Sequence, residues 1–200
     1  MEKATSCLLG NPIALAVCRH LWIQKTGLSG RALAKAISRS PQGIHNVLRI
    51  LVEYGLVSCK KIGQSHAYRI NEKHFLLAEG LFPLWEKIFA WKFHLGNYFM
   101  KALKKKPVSI ILFGSFAHDQ QKEDSDIDLL FLYEKTHFLD GIIESIQELS
   151  ESVYQRFSVR PSCKVTTVAQ FKSESKKKEG FMRNIFREGK VLAGKDLSEL

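Results

Sequence analysis

Four residues near the middle of the chain have the side chains and spacing for phosphate and metal chemistry. Gly114-Ser115 ends an apolar, β-branched run (Val108, Ile110, Ile111, Leu112, Phe113), and Asp126 and Asp128 head a second apolar run (Ile127, Leu129 to Tyr133). Both runs read as buried strands around a polar, acidic loop. Strand side chains alternate, so Asp126 and Asp128 are expected on one face with Ile127 on the other. Two neighbouring carboxylates repel unless a hard cation lies between them, and Mg²⁺ (or Mn²⁺) is commonly held by one or two carboxylates plus substrate phosphates. Gly114 permits a tight turn and a close backbone approach. Ser115 offers a hydroxyl and an N–H where a short helix should begin, an arrangement that suits an anion. The bland reading of the same residues is a strand, a turn and an Asp cap.

Other elements must hold these strands. Phe138 to Phe157 has apolar positions at Ile142, Ile143, Ile146, Leu149, Val153 and Tyr154, a helical period that would cover the sheet. Pro161 to Val168 reads as a third strand, Glu179 to Arg187 as a closing helix and Lys190 to Ala193 as a last short strand. Upstream, residues 74–106 form a connecting helical segment, rich in Leu, Phe and Trp from Leu81 to Leu103. Glu86, Lys87, Lys92, His94 and Lys101 exclude a transmembrane helix there. A helix apolar around most of its girth must be buried, either between domains or against a second copy of the chain.

Composition divides the chain. The formal net charge is +10 over 200 residues, but residues 1–75 carry 11 Lys/Arg against 3 Asp/Glu, while residues 76–200 carry 19 against 17. A basic first part facing a polyanion is the expectation. Cys7, Cys18, Cys59 and Cys163 are too scattered for a zinc site, and with no secretory pattern they read as reduced thiols of a cytoplasmic protein.

Within the basic part, Pro12 to Gln24 has a helical period, a second helix should follow a Ser29 cap, and Ser40-Pro41 opens a third. That third helix carries Ile44, Val47, Leu48, Leu51 and Val52 on one stripe. Gln42, His45, Asn46, Arg49 and Glu53 occupy the other, most of it able to bond base edges or phosphates. Leu56 to Lys61 and Ala67 to Ile70 read as a hairpin.

Two resemblances follow. Gly114-Ser115, ten intervening residues and then Asp126-Ile127-Asp128 resemble the signature of the polymerase-β nucleotidyltransferase superfamily, in particular its minimal bacterial and archaeal members. The helix, strand and helix that follow are similar too. This implies that Gly114 and Ser115 bind the phosphates of a nucleoside triphosphate; His118 beside them either donates to phosphate or is a surface residue. It also implies that Asp126 and Asp128 are the catalytic metal ligands for attack on the α-phosphate. Residues 1–73 resemble the winged helix-turn-helix of bacterial regulators. For double-stranded DNA this implies contacts from Gln42, His45, Asn46 and Arg49 in the major groove, and from Lys60, Lys61, Gln64 and His66 on the backbone. The expected fold is α+β: a winged helix over 1–73, a long linker or dimerisation helix over 74–106, and a nucleotidyltransferase domain with a mixed, helix-flanked sheet over 107–200.

The chain departs from the family pattern in two places. Active members usually supply a third carboxylate from the next strand, but Arg160 to Val168 contains no acid, and Lys164 lies where one is expected. Many relatives have Ala-Arg-Gly where this chain has Ala117-His118-Asp119. Asp119, Glu123 and Asp124 read as solvated loop charges, and Lys176 to Lys178 as a solvated face. Three functions remain open: transfer of a nucleoside monophosphate to a hydroxyl of a protein or small molecule, as in minimal members that act as antitoxins on a toxin; a winged-helix regulator that only senses nucleotide; or a structural DNA-binding homodimer.

Overall fold

Asn11, Ser29 and Ser40 each turn the chain into a helix by accepting backbone N–H bonds that the first turn cannot satisfy internally. In the computed structural model, which describes residues 1–122, 125–134 and 139–200, these caps open α2 (Pro12–Gln24), α3 (Gly30–Ala36) and α4 (Pro41–Glu53). The expectations for Glu123, Asp124 and Phe138 fall outside the described residues. A short α1 (Glu2–Leu9), which the sequence pattern does not announce, precedes them and buries only Ala4 and Leu8. The chain forms two compact units, Met1–Ile88 and Phe89–Leu200.

In the first unit, α4 buries Ile44, Val47, Leu48 and Leu51 of the stripe expected to face inward, and Val52 is partly buried against the same core. Gly55 ends the helix at φ +70, and β1 (Val57–Ile62) pairs antiparallel with β2 (Ser65–Ile70) around Gly63-Gln64. Leu28, between α2 and α3, bridges to Tyr68 and adds a third short edge to the hairpin. Val57 and Ile70 are buried at the base, whereas the strands become exposed toward the turn.

The stretch expected as one linking helix is divided. A π-helical turn (Leu76–Leu81) and α5 (Phe82–Phe89) are followed by a break at Ala90 and then α6 (Trp91–Ala102). Leu77, Leu81 and Trp85 belong to the first core, where Trp22 lies 5.3 Å from the Trp85 ring and 5.8 Å from the Phe82 ring. Leu95, Phe99 and Leu103 belong to the second core. The girth of apolar residues is thus two separate stripes serving two cores, and no separate linker helix spans 74–106.

In the second unit, β3 (Ser109–Phe113), β4 (Ile127–Tyr133), β5 (Pro161–Thr167) and β6 (Lys190–Gly194) form one mixed sheet in the order β5-β4-β3-β6. Only β4 and β5 are parallel. They are joined through α7 (Leu139–Glu148) and α8 (Ser150–Phe157), where one helix was expected. Both faces are covered, which explains the unbroken apolar run of β4. Ile110, Leu112, Leu129 and Phe131 meet α6, α7 and α8 on one side, with Phe99 edge-on to Phe131 at 5.1 Å. Ile111, Leu130 and Leu132 meet α9 (Val168–Ser175) and α10 (Phe181–Glu188) on the other. The start of α9 takes Val168, which the sequence assigned to the strand, because Thr167 caps Gln170. Gly96 lets α6 close onto β6: a Cβ there would lie 2.6 Å from the Leu192 Cβ. Among the described residues, no single helix is long and apolar enough to cross a membrane.

Candidate functional site

Antiparallel pairing sets Phe113 opposite Asp128, so the chain leaves β3 directly beside the head of β4. Gly114 takes φ +71 and ψ −155, a region that only glycine adopts without strain. A Cβ on Gly114 would stand 2.3 Å from Asp128 Oδ2 and 3.2 Å from its Cγ. The absence of a side chain at 114 is therefore what lets the turn and the carboxylate share the same space. After Gly114, Ser115–Ala117 form a single 3₁₀ turn where the sequence leads one to expect a short helix. Its hydrogen bonds run from Ala117 N–H to the Gly114 carbonyl and from His118 N–H to the Ser115 carbonyl.

Asp126 is exposed just before β4, and Asp128 is half-buried. Burial, then the charge of Asp126, raise the Asp128 carboxyl above its ordinary range, while a hydrogen bond from the Ser162 hydroxyl and the charge of Lys164 oppose the rise. Ser162 holds this place because the parallel register pairs it with Asp128. A half-buried carboxylate beside a second carboxylate is a donor set that suits a hard cation, and these two residues are the ones that would hold it. Among the described residues, no group of three or more His, Cys, Asp or Glu side chains converges as a metal site.

Lys164 sits one pleat beyond Ser162, opposite Leu130, on the face that carries Asp128. Its ammonium lies 4.3 Å from the centre of the Phe181 ring, in the range of a cation–π contact. Phe181 in turn meets Phe113 edge-on at 5.2 Å. The site therefore faces a fixed positive charge where the resemblance leads one to look for an acid.

Beside Gly114 a cavity of about 230 Å³ is lined by Phe113, His118, Phe181, Asn184 and Glu188 among others. His118 reaches this cavity, with its Nε2 3.3 Å from a Glu188 oxygen. Arg187 also bonds Glu188, and it is the main reason that carboxyl lies below its ordinary range. Lys92 on α6 donates to the Phe116 carbonyl at 2.6 Å and to Asp119 Oδ1 at 2.5 Å, tying the loop after the turn to the helix. That hydrogen bond, followed by the Lys92 charge, holds the Asp119 carboxyl below its usual range. Asp119 is thus exposed and ion-paired rather than simply solvated. Ser162, Lys92, Phe181, Asn184 and Glu188 were not singled out as site residues from the sequence. Ser162 could have been found from strand register, but Asn184 and Glu188 carry no local signal.

The basic unit presents a second candidate surface. Gln42, His45, Asn46, Arg49, Lys60, Lys61, Gln64 and His66 are all exposed. A cleft of about 580 Å³ gathers Gln42, His45, Gln64 and His66 with Arg31 and Tyr68, between the starts of α3 and α4 and the hairpin. Gln42 also donates to Asn46 along α4. The register pairs Lys61 with His66 and Lys60 with Ala67, so successive lysines lie on opposite faces of the hairpin. Lys61 shares the face of Tyr68 and the cleft, and Lys60 points the other way.

Comparison with known proteins bears on the second unit. Residues 95–198, just over half of the chain, match the family model for polymerase beta nucleotidyltransferase. No curated protein matches the chain. Among solved structures, one described as the crystal structure of a toxin-antitoxin with AMP-PNP is similar to 55% of this chain and 77% of its own, at 20% identity and a TM-score of 0.38.

Proposed function

The chain belongs to the polymerase-β nucleotidyltransferase family, and from that premise we propose that it transfers a nucleoside monophosphate from a nucleoside triphosphate to a hydroxyl of a protein or small molecule. The observation that carries this reading is the close approach of the Gly114 turn to Asp128, where no side chain would fit at 114, which sets an anion-binding turn against a carboxylate pair. In this reading Gly114 and Ser115 receive the phosphates through backbone and hydroxyl donors, and His118 stands at the edge of the adjoining cavity. Asp126 and Asp128 hold the divalent cation, which neutralises phosphate charge when bound. Ser162 fixes the Asp128 carboxyl by hydrogen bond. The sequence resemblance to minimal family members makes a partner protein, such as a toxin, the favoured acceptor.

The first unit would place this activity on DNA. A capped helix pair followed by a hairpin, with a polar and basic stripe on α4, supports a winged helix-turn-helix reading, and two half-sites would be read by a homodimer. Replacing Arg49 and Lys61 by alanine is expected to weaken binding to duplex DNA and to flatten the slope of log affinity against log salt by about 1, at roughly 0.9 for the lost phosphate contact of Lys61. An unaltered slope would place the DNA surface elsewhere.

Lys164 favours a second reading, in which nucleotide is bound and sensed without transfer. Incubation with Mg²⁺ and each α-labelled nucleoside triphosphate, with and without cell extract, separates the two. Label on protein or small molecules that is absent with Asp126→Asn, Asp128→Asn supports transfer. Saturable binding without transfer supports the sensor, and the absence of both refutes the site.

A further inference from the structure

Helix α10 has two working faces. Phe181, Asn184, Ile185 and Glu188 turn toward the Gly114 cavity, whereas Arg183, Phe186 and Arg187 turn away from it into a separate cleft shared with Phe171, Lys172 and Lys176 of α9 and its cap and closed on a third side by Leu197, Ser198 and Leu200. This cleft holds about 770 Å³. We propose that it docks an acidic segment of a partner protein that also carries an apolar side chain.

Three observations carry the proposal. First, four cations crowd together: Lys172, Lys176 and Arg187 lie at helix C-terminal ends, where the dipole favours them, but each has a like charge as a near neighbour on its own helix. Lys172 and Lys176 are four residues apart, as are Arg183 and Arg187, and like charges at that spacing repel. Arg183 in addition stands in the first turn of α10, where the helix dipole disfavours a positive charge. An anionic ligand between the helices relieves both costs. Second, the charge is mostly unspent. Arg187 pairs with Glu188, but Lys172, Lys176 and Arg183 have no carboxylate within ion-pair distance among the described residues. Arg183 donates to the Lys177 carbonyl. Third, the floor is apolar. Phe171 is buried at its base, and the exposed Phe186 ring lies 6.3 Å away. With one exposed ring, the cleft has no row of aromatic platforms on which successive bases could stack, so a peptide fits it better than a single-stranded nucleic acid. The local concentration of charge agrees: residues 168–188 hold six Lys/Arg against three Glu, in a unit that is otherwise close to balanced.

All five side chains at the rim are exposed, so charge reversal there leaves the core intact. The test pans a random dodecapeptide library on the full chain, then measures fluorescence anisotropy of enriched peptides on the parent protein, on Lys172→Glu with Arg183→Glu, and on Phe186→Ser. The proposal expects enriched peptides with acids flanking an apolar residue. Charge reversal should weaken them at least about tenfold, the scale of a close charge pair, and Phe186→Ser should weaken them as well. Enrichment without acidic residues, or equal affinity for the charge-reversed protein, overturns it. Binding unaffected by Phe186→Ser overturns the apolar contact. Binding of labelled oligodeoxythymidine that charge reversal abolishes, with no peptide selected, assigns the cleft to nucleic acid and overturns the peptide reading. None of these outcomes depends on nucleotide transfer.

Discussion

Replacing Gly114 by alanine probes the close approach of the Gly114 turn to Asp128. Two costs follow from the structure. At φ +71 and ψ −155 an L-residue is strained by about 1–3 kcal/mol. The new Cβ would also meet Asp128 Oδ2 at 2.3 Å and Cγ at 3.2 Å, so the carboxylate must swing away. That movement gives up the hydrogen bond from Ser162, about 1–2 kcal/mol for a half-buried bond to a charged acceptor. The sum is about 2–5 kcal/mol, measured as a shift in urea midpoint at constant slope. In an Asp128→Ala background the second cost disappears, since Asp128 Cβ is 3.4 Å away and no oxygen remains. The double-mutant cycle should therefore show a coupling of about 1–2 kcal/mol. Gly63→Ala is the control: Gly63 lies at φ +60 with nothing within 4 Å, so it should show backbone strain of roughly 1 kcal/mol alone. An equal cost of Gly114→Ala with and without the Asp128 side chain would refute the contact. So would undiminished nucleotide binding by the single variant.

Asp128→Asn is expected to raise the melting temperature at pH 7. Burial and Asp126 raise the folded carboxyl, so its ionised form costs stability at neutral pH. The advantage of the variant should shrink as acid protonates Asp128, and a lower melting temperature at pH 7 would contradict the electrostatics. Lys164→Glu should tighten Mn²⁺ binding about tenfold or more by replacing a repelling charge with a ligand, read by electron paramagnetic resonance, and an unchanged affinity would show that Lys164 does not act on the carboxylates. Burial pushes the Cys18 and Cys163 thiols up to about 12 from 9.0. Between those values the unfolded chain ionises and the folded one does not, so stability should fall by on the order of 2 kcal/mol per thiol near pH 11. At pH 8 iodoacetamide should label the exposed Cys59 and spare Cys18 and Cys163 until the chain unfolds.

Local chemistry was enough to read much of this protein. Ser29, Ser40 and Pro41 announce helix starts because capping is satisfied within three residues. The apolar runs ending at Phe113 and beginning at Ile127 announce strands because both faces of the sheet are buried. Gly114-Ser115 and Asp126-Ile127-Asp128 mark the candidate site through their residue types at two strand ends and the resemblance of their spacing to the family signature. What the sequence left open depends on register and on partners distant along the chain. The apolar stripe through Trp85 and Phe99 looks like one helix because periodicity does not say which core a side chain enters, and only packing divides it at Ala90. Successive lysines at 60 and 61 look alike in sequence, yet strand alternation sends them to opposite faces. Parallel pairing of β5 with β4 brings Ser162 to Asp128 and sets Lys164 one pleat on, under Phe181. The close approach of Gly114 to Asp128 and the two faces of α10 were likewise decided by tertiary structure, because each requires segments far apart in the chain to occupy neighbouring space.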